Sequence, residues 1–156
     1  ILAKLTQYIE KQAWGNSADE FLDQFVASSV EVEHILPLNP KSEVLNAFDK
    51  IEEYNEYKIR LGNLCLLEKT INSSISNGSL VEKLHGYEQS SFLLTKSLKK
   101  LPSTGTTTSL NRAVANLKSF SKWQSRDIEE RQSMLVELAK LTWDIPETIK
   151  GCNDKN

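Results

Sequence analysis

A carboxylate and an imidazole stand side by side in Val30-Glu31-Val32-Glu33-His34-Ile35-Leu36-Pro37, and two amides follow at Asn63 and Asn72. Hydrolysis of a phosphodiester needs a base to take a proton from water, charge stabilisation at phosphorus and help for the leaving oxygen. Histidine suits the first task because its neutral form is available near pH 7. A hard divalent ion serves the other two; it takes oxygen ligands and keeps several waters. His34 is therefore the candidate base. The Glu33 carboxylate and the amide oxygen of Asn72 are the candidate metal ligands, for Mg2+ first and Mn2+ as the alternative. Asn63, whose side chain both donates and accepts, is placed to fix the crossover between the two segments.

These residues need elements that bring them to one point. Val30 to Leu36 is a β-branched, strand-like run closed by Pro37. Leu61-Gly62-Asn63-Leu64-Cys65-Leu66-Leu67 is the return strand, and Thr70 or Asn72 opens a short helix reaching about Asn77. A strand-strand-helix unit of this kind gathers residues nearly forty positions apart. Neighbours on a regular strand face opposite sides, so Glu33 and His34 share a site only at a strand end, where Pro37 ends regular pairing.

Helices surround this hairpin. Leu2, Leu5 and Ile9 have helical spacing over residues 1–12, and Ser17 with Glu20 is a capping-box signal for a second helix carrying Phe21, Leu22 and Phe25. Ser42 is an N-cap for a helix carrying Leu45, Phe48, Ile51 and Tyr54. Asn77-Gly78 breaks the chain, and Ser79 to Leu84 gives a helical turn or two. Tyr87, Ser91, Leu94, Leu98 and Leu101 form one stripe of a further helix stopped by Pro102. Ser103 to Ser109 is a low-complexity loop. A long helix from about Ser125 carries Ile128, Leu135, Leu138 and Leu141 and ends near Trp143. The expected fold is mainly α with a small central β-hairpin, which the helices must support because an isolated hairpin is marginal.

The 156 residues fit one domain, with 39% hydrophobic and 26% charged residues. No apolar run reaches transmembrane length and no signal peptide is visible, so the expected setting is cytoplasmic, with no membrane partner. The start at Ile1 reads as a cut inside a longer protein. With 19 basic and 21 acidic residues, the net charge of −2 is not that of a stand-alone nucleic-acid binder. DNA must meet a local patch, for which Arg60, Lys69 and Lys83 are the candidate phosphate contacts, with Lys58 beside them. Cys65 lies in an apolar run and reads as a buried free thiol, and paired Cys-x-x-Cys zinc motifs are absent.

The pattern V-E-H-I-L-P, L-G-N-L-x-L-L, N-x-x-x-x-N and K-x-x-x-Y, with Trp123, Ile128 and Arg131 spaced as W-x-x-x-x-I-x-x-R and a closing Trp143, resembles the C-terminal nuclease domain of GmrSD-type, modification-dependent restriction enzymes. The likeness covers roughly residues 1–143. It implies an HNH (His-Me finger) ββα-metal core embedded in a helical bundle. Carried over by residue, His34 is the general base, Glu33 and Asn72 are metal-associated, Asn63 supports the hairpin, and Lys83 and Tyr87 match the family's lysine and tyrosine. Leu38 stands where the family often has glutamine, Lys58-Ile59-Arg60 where it often has a histidine, and Leu80 or Val81 near its usual phenylalanine.

Together with the elements above, the resemblance implies a single HNH-like nuclease domain over residues 1–150, with a ββα core at about 30–78 and flanking helices at 1–28 and 86–144; the polar last six residues, 151–156, are expected to form a disordered tail. It implies a metal-dependent DNA endonuclease of a restriction or anti-phage system, acting by one-metal hydrolysis on DNA that includes modified phage DNA. An N-terminal sensor or nucleotide-binding domain would belong to the same protein. The alternative is a catalytically inactive DNA- or protein-binding helical module of the same fold. Taken singly, several residues have plainer roles. His85 is a helix-end or surface residue, and Asn77 is a turn residue that could approach the metal. Arg131 pairs with a buried acid such as Glu20 or Glu56. Trp14, Trp123 and Trp143 pack in the core or between helices, and the Lys96, Lys99, Lys100 run complements a helix C-terminus.

Overall fold

Leu5, Ile9 and Ala13 recur at helical spacing and are buried along one face of α1 (Leu2–Trp14). That face meets α8 (Ser109–Val114) and α9 (Ser125–Thr142) in a cluster that includes Leu110, Val114, Leu135 and Leu138. The computed structural model describes residues 1–15, 22–75, 77–103, 105 and 108–145. The Ser17–Glu20 capping signal, the tail and part of the threonine-rich loop lie outside these.

A second apolar cluster surrounds the hairpin. β1 (Val30–His34) pairs antiparallel with β2 (Leu64–Glu68), with Glu33 opposite Cys65 and His34 opposite Leu64. Cys65 and Leu67 are buried among Ile35, Tyr57, Tyr87 and Ile128. The chain between the strands holds α3 (Ser42–Asn46), a 3-10 turn at Ile51–Glu53, α4 (Tyr54–Tyr57) and a second 3-10 turn at Leu61–Asn63. Directly after β2, α5 (Lys69–Ser74) packs back on both strands. Then come α6 (Leu80–Gln89) and α7 (Leu93–Lys96). α2 (Leu22–Phe25) places Phe25 against Phe92, with ring centroids 5.2 Å apart.

The mainly helical fold with one small hairpin is as the sequence indicates, but several elements differ in detail. β1 stops at His34, although the Ile35 N–H still donates to the Asn63 carbonyl at 3.0 Å. Leu61–Asn63 is a 3-10 turn rather than strand, because it lies under α9. A Cβ on Gly62 would stand 2.1 Å from the Ile128 carbonyl oxygen and 2.9 Å from Gln132 Cβ, so only glycine allows this approach. The expected helix carrying Leu45 to Tyr54 is broken into short pieces, and Ile51 is exposed. The stripe from Tyr87 to Leu101 is broken: Leu98 and Leu101 lie beyond α7, and Ser91 lies between Tyr87 on α6 and Leu94 on α7. The Glu68 carboxylate accepts from Ser90 Oγ at 2.8 Å and from the Ser91 N–H at 2.7 Å, which holds the chain in a break between them. α5 begins at Lys69 and ends at Ser74, so Asn72 sits within it rather than at its start. α8 is an addition to the expected elements, although Leu110, Ala113, Val114 and Leu117 do have helical spacing. Trp123 is buried, whereas Trp14 and Trp143 are exposed.

Candidate functional site

The sequence VEHILP places a charged pair at the end of β1, and the fold decides what each member faces. Glu31 and Glu33 lie two apart and so share one strand face, towards α5 and α6. Glu33 is buried at 8% exposure, and its Oε1 accepts from Lys83 Nζ at 2.6 Å and from the Tyr87 hydroxyl at 2.9 Å. Lys83 also donates to the carbonyls of His34 at 2.7 Å and Ile35 at 3.3 Å. Three donors thus meet three internal acceptors, and Lys83 is 2% exposed. The structure gives Lys83 a clamp at the strand end, with no donor left for a phosphate. K-x-x-x-Y on α6 is the sequence trace of this clamp: four residues apart, both side chains reach the same carboxylate. Burial holds the Tyr87 hydroxyl well above its ordinary value, with Cys65 and Glu33 adding to the effect, so it remains a donor.

Because the strand ends there, Glu33 and His34 border the same cleft, of about 290 Å³. Asn39, Asn72 and Asn77 complete its polar side. His34 is half-buried. Burial is the main cause that lowers its pKa; Glu33 pulls it up, and Lys83 and Lys58 push it down again. A neutral imidazole is the result, the form a base requires.

Asn72 reaches the cleft from α5. Its Nδ2 donates to Glu31 Oε2 at 2.8 Å, and among the described residues no donor is bonded to its Oδ1. Lys69 Nζ lies 3.8 Å from Glu31 Oε1 and is exposed. Arg60 lies away from the cleft: it stacks on the Tyr57 ring, 3.9 Å from the centroid, and pairs with Glu129 at 3.4 Å. The structure therefore brings together Glu33, His34, Asn72 and Lys83, leaves Lys69 at the margin and sets Arg60 apart.

Asn63 has another task. It is fully buried, and its Oδ1 accepts from the Leu36 N–H at 2.7 Å and from Trp123 Nε1 at 2.9 Å. Its Nδ2 donates to the carbonyls of Leu36 at 3.0 Å and Lys58 at 2.8 Å. The amide is fully used in joining the chain after β1 to the turn before β2. The Tyr54 hydroxyl bolts the same chain by donating to the Pro37 carbonyl at 2.8 Å. Arg131 was expected to meet an acid; Glu20 lies outside the described residues, Glu56 is not its partner, and Nη1 donates to the carbonyls of Gly62 at 2.7 Å and Leu64 at 2.8 Å. No carboxylate pairs with it among the described residues. Two carbonyl dipoles replace the counter-ion because α9 faces backbone here. His85 is exposed and bonds Gln89. Burial pushes the Cys65 thiol up to about 12, so it is an apolar filler rather than a nucleophile.

The donors at the cleft suit a hard cation: amide oxygens, a carboxylate with one oxygen already engaged, and room for water. Among the described residues no three His, Cys, Asp or Glu side chains gather to hold a metal ion of any kind, so a cation here would depend on amide oxygens and water beside Glu33. Asn39 lines the cleft beyond the residues singled out for it in the sequence, Asn77 lines it as the turn residue that could approach a metal, and Glu31 reaches it only through Asn72. Alternation along β1 was the available signal for Glu31.

A helical domain built around a two-stranded hairpin, with a histidine and an asparagine on a shared polar cleft, is the class this architecture defines. The chain belongs to the family of GmrSD restriction endonuclease C-terminal domains, whose family model matches residues 1–138. No curated protein and no solved structure matches it. Among the described residues no helix is long and apolar enough to cross a membrane.

Proposed function

We propose that this domain is an HNH-type, metal-dependent DNA endonuclease of a restriction or anti-phage system, with His34 as general base. The observation that carries this reading is the meeting of a neutral, half-buried His34 with Asn72 on one polar cleft. Asn72 would hold the cation through Oδ1, with Glu33 contributing its second carboxylate oxygen or acting through water. A bound divalent ion would stabilise charge at the phosphate and at the leaving 3′ oxygen. His34 takes a proton from the attacking water. Lys83 fixes the His34 main chain, and Asn63 fixes the segment that follows it. Lys58 and Lys69 at the margins supply positive charge for phosphates, which positions DNA without reading sequence. The reading extends to modified phage DNA as substrate and to a sensor domain elsewhere in the same protein; membership of a restriction endonuclease family supports this extension.

The engagement of Glu33 by Lys83 and Tyr87 favours a second reading, a non-catalytic docking module of the same fold. Supercoiled plasmid and single-stranded RNA incubated with the protein in Mg2+, in Mn2+ and in chelator separate the two. The nuclease reading expects nicked plasmid only with the ions; intact plasmid under every condition, with modified and unmodified DNA alike, supports the module.

A further inference from the structure

We infer that Glu31 is a positioning residue that sets the orientation of the Asn72 amide, so that the oxygen of that amide is the atom available to a cation in the cleft. The inference rests on the cation reading of the cleft given above. Asn72 presents two chemically different ends on one short side chain, and only Oδ1 can ligate a hard cation. Left alone, the amide could present either end. Glu31 removes the choice: its Oε2 lies 2.8 Å from Asn72 Nδ2, and a carboxylate accepts hydrogen bonds without donating them. The NH2 end is thereby committed to the strand.

The placement follows from the fold. Glu31 stands three residues before His34 on β1, and α5 begins immediately after β2 and packs back on both strands. The side chain of Glu31 is 40% exposed, with Lys69 3.8 Å from its other oxygen. Its one close directional contact is with Asn72, the arrangement of an outer residue that orients a metal ligand.

The test is Mn2+ binding to the intact chain, followed by electron paramagnetic resonance, for wild type, Glu31→Gln, Glu31→Ala, Asn72→Ala and the Glu31→Ala/Asn72→Ala pair. Glu31→Ala is expected to weaken binding about 10-fold, at the low end for such outer residues. Glu31→Gln, which keeps an acceptor, stays within about threefold of wild type. Glu31→Ala adds nothing in the Asn72→Ala background, because its effect passes through the amide. Wild-type affinity in Glu31→Ala overturns the inference alone. Equal losses in Glu31→Gln and Glu31→Ala also overturn it, since the charge rather than the orientation would then matter. Failure of wild type itself to bind Mn2+ overturns the cation reading and this inference together.

Discussion

The indole Nε1 of Trp123 donates to Asn63 Oδ1 at 2.9 Å, across sixty residues of sequence. The same oxygen accepts from the Leu36 N–H, so one amide joins α9's leading segment, the chain just after β1 and the turn before β2. Asn63→Ala strands the Leu36 N–H and carbonyl, the Lys58 carbonyl and the Trp123 N–H at once. At about 1–3 kcal/mol for each buried group left unpaired, a loss of at least ~3 kcal/mol is expected in urea unfolding. Trp123→Phe removes one donor and keeps an aromatic ring; its expected loss is about 1–2 kcal/mol. Equal stability of Asn63→Ala and wild type would show that this amide does not brace the hairpin.

Lys83→Met leaves the Glu33 carboxylate buried without its cation. Breaking a buried pair on one side costs about 3–5 kcal/mol. Glu33→Gln/Lys83→Met should be more stable than the sum of the two single losses implies, because neither partner is then left charged and alone. Additive losses in a double-mutant cycle would refute the clamp.

Gly62→Ala drives a methyl group into the Ile128 carbonyl and Gln132 Cβ. Backbone cannot move aside as a side-chain tip can, so a loss near the upper end of overpacking costs, about 3 kcal/mol, is expected by thermal or urea unfolding. An unchanged midpoint would mean that α9 does not pack on the 3-10 turn.

His34 titrates below its usual 6.5, chiefly because it is buried. Protonation therefore favours the unfolded chain. Its effect on stability is negligible above the unfolded value, and stability falls as pH drops below about 6.5. If neutral His34 is the base, the acid limb of kcat/KM for plasmid nicking should inflect below 6.5. Lys58→Gln removes one of the charges that push the value down and should move that limb upward. An inflection above 6.5 in wild type contradicts this.

Much of the centre was legible in the sequence, because the constraints there are local. The β-branched run before Pro37 forms β1, and LGNL opens into β2. Of the expected stripe on α9, Ile128, Leu135 and Leu138 are buried, with Arg131 among them, whereas Leu141 is exposed. The pairing of Glu33 with Lys83 was not legible: sequence assigned Lys83 outward to phosphate, whereas the fold commits it inward to Glu33 and two main-chain carbonyls, which leaves Glu33 one carboxylate oxygen for the cleft. The same holds for Arg131, whose partners are main-chain carbonyls that carry no side-chain signal. The break at Ser90–Ser91 depends on Glu68, distant in sequence, and helical spacing runs straight through it.

The central claim is that His34 takes the proton from water while Asn72 holds the ion. The most direct test compares nicking of supercoiled plasmid by wild type and His34→Ala at saturating Mn2+, with ion affinity and unfolding midpoint measured on the same samples. The account predicts a rate loss of about 10²- to 10⁴-fold in His34→Ala, with Mn2+ affinity and midpoint close to wild type. Nicking by His34→Ala at the wild-type rate would contradict it.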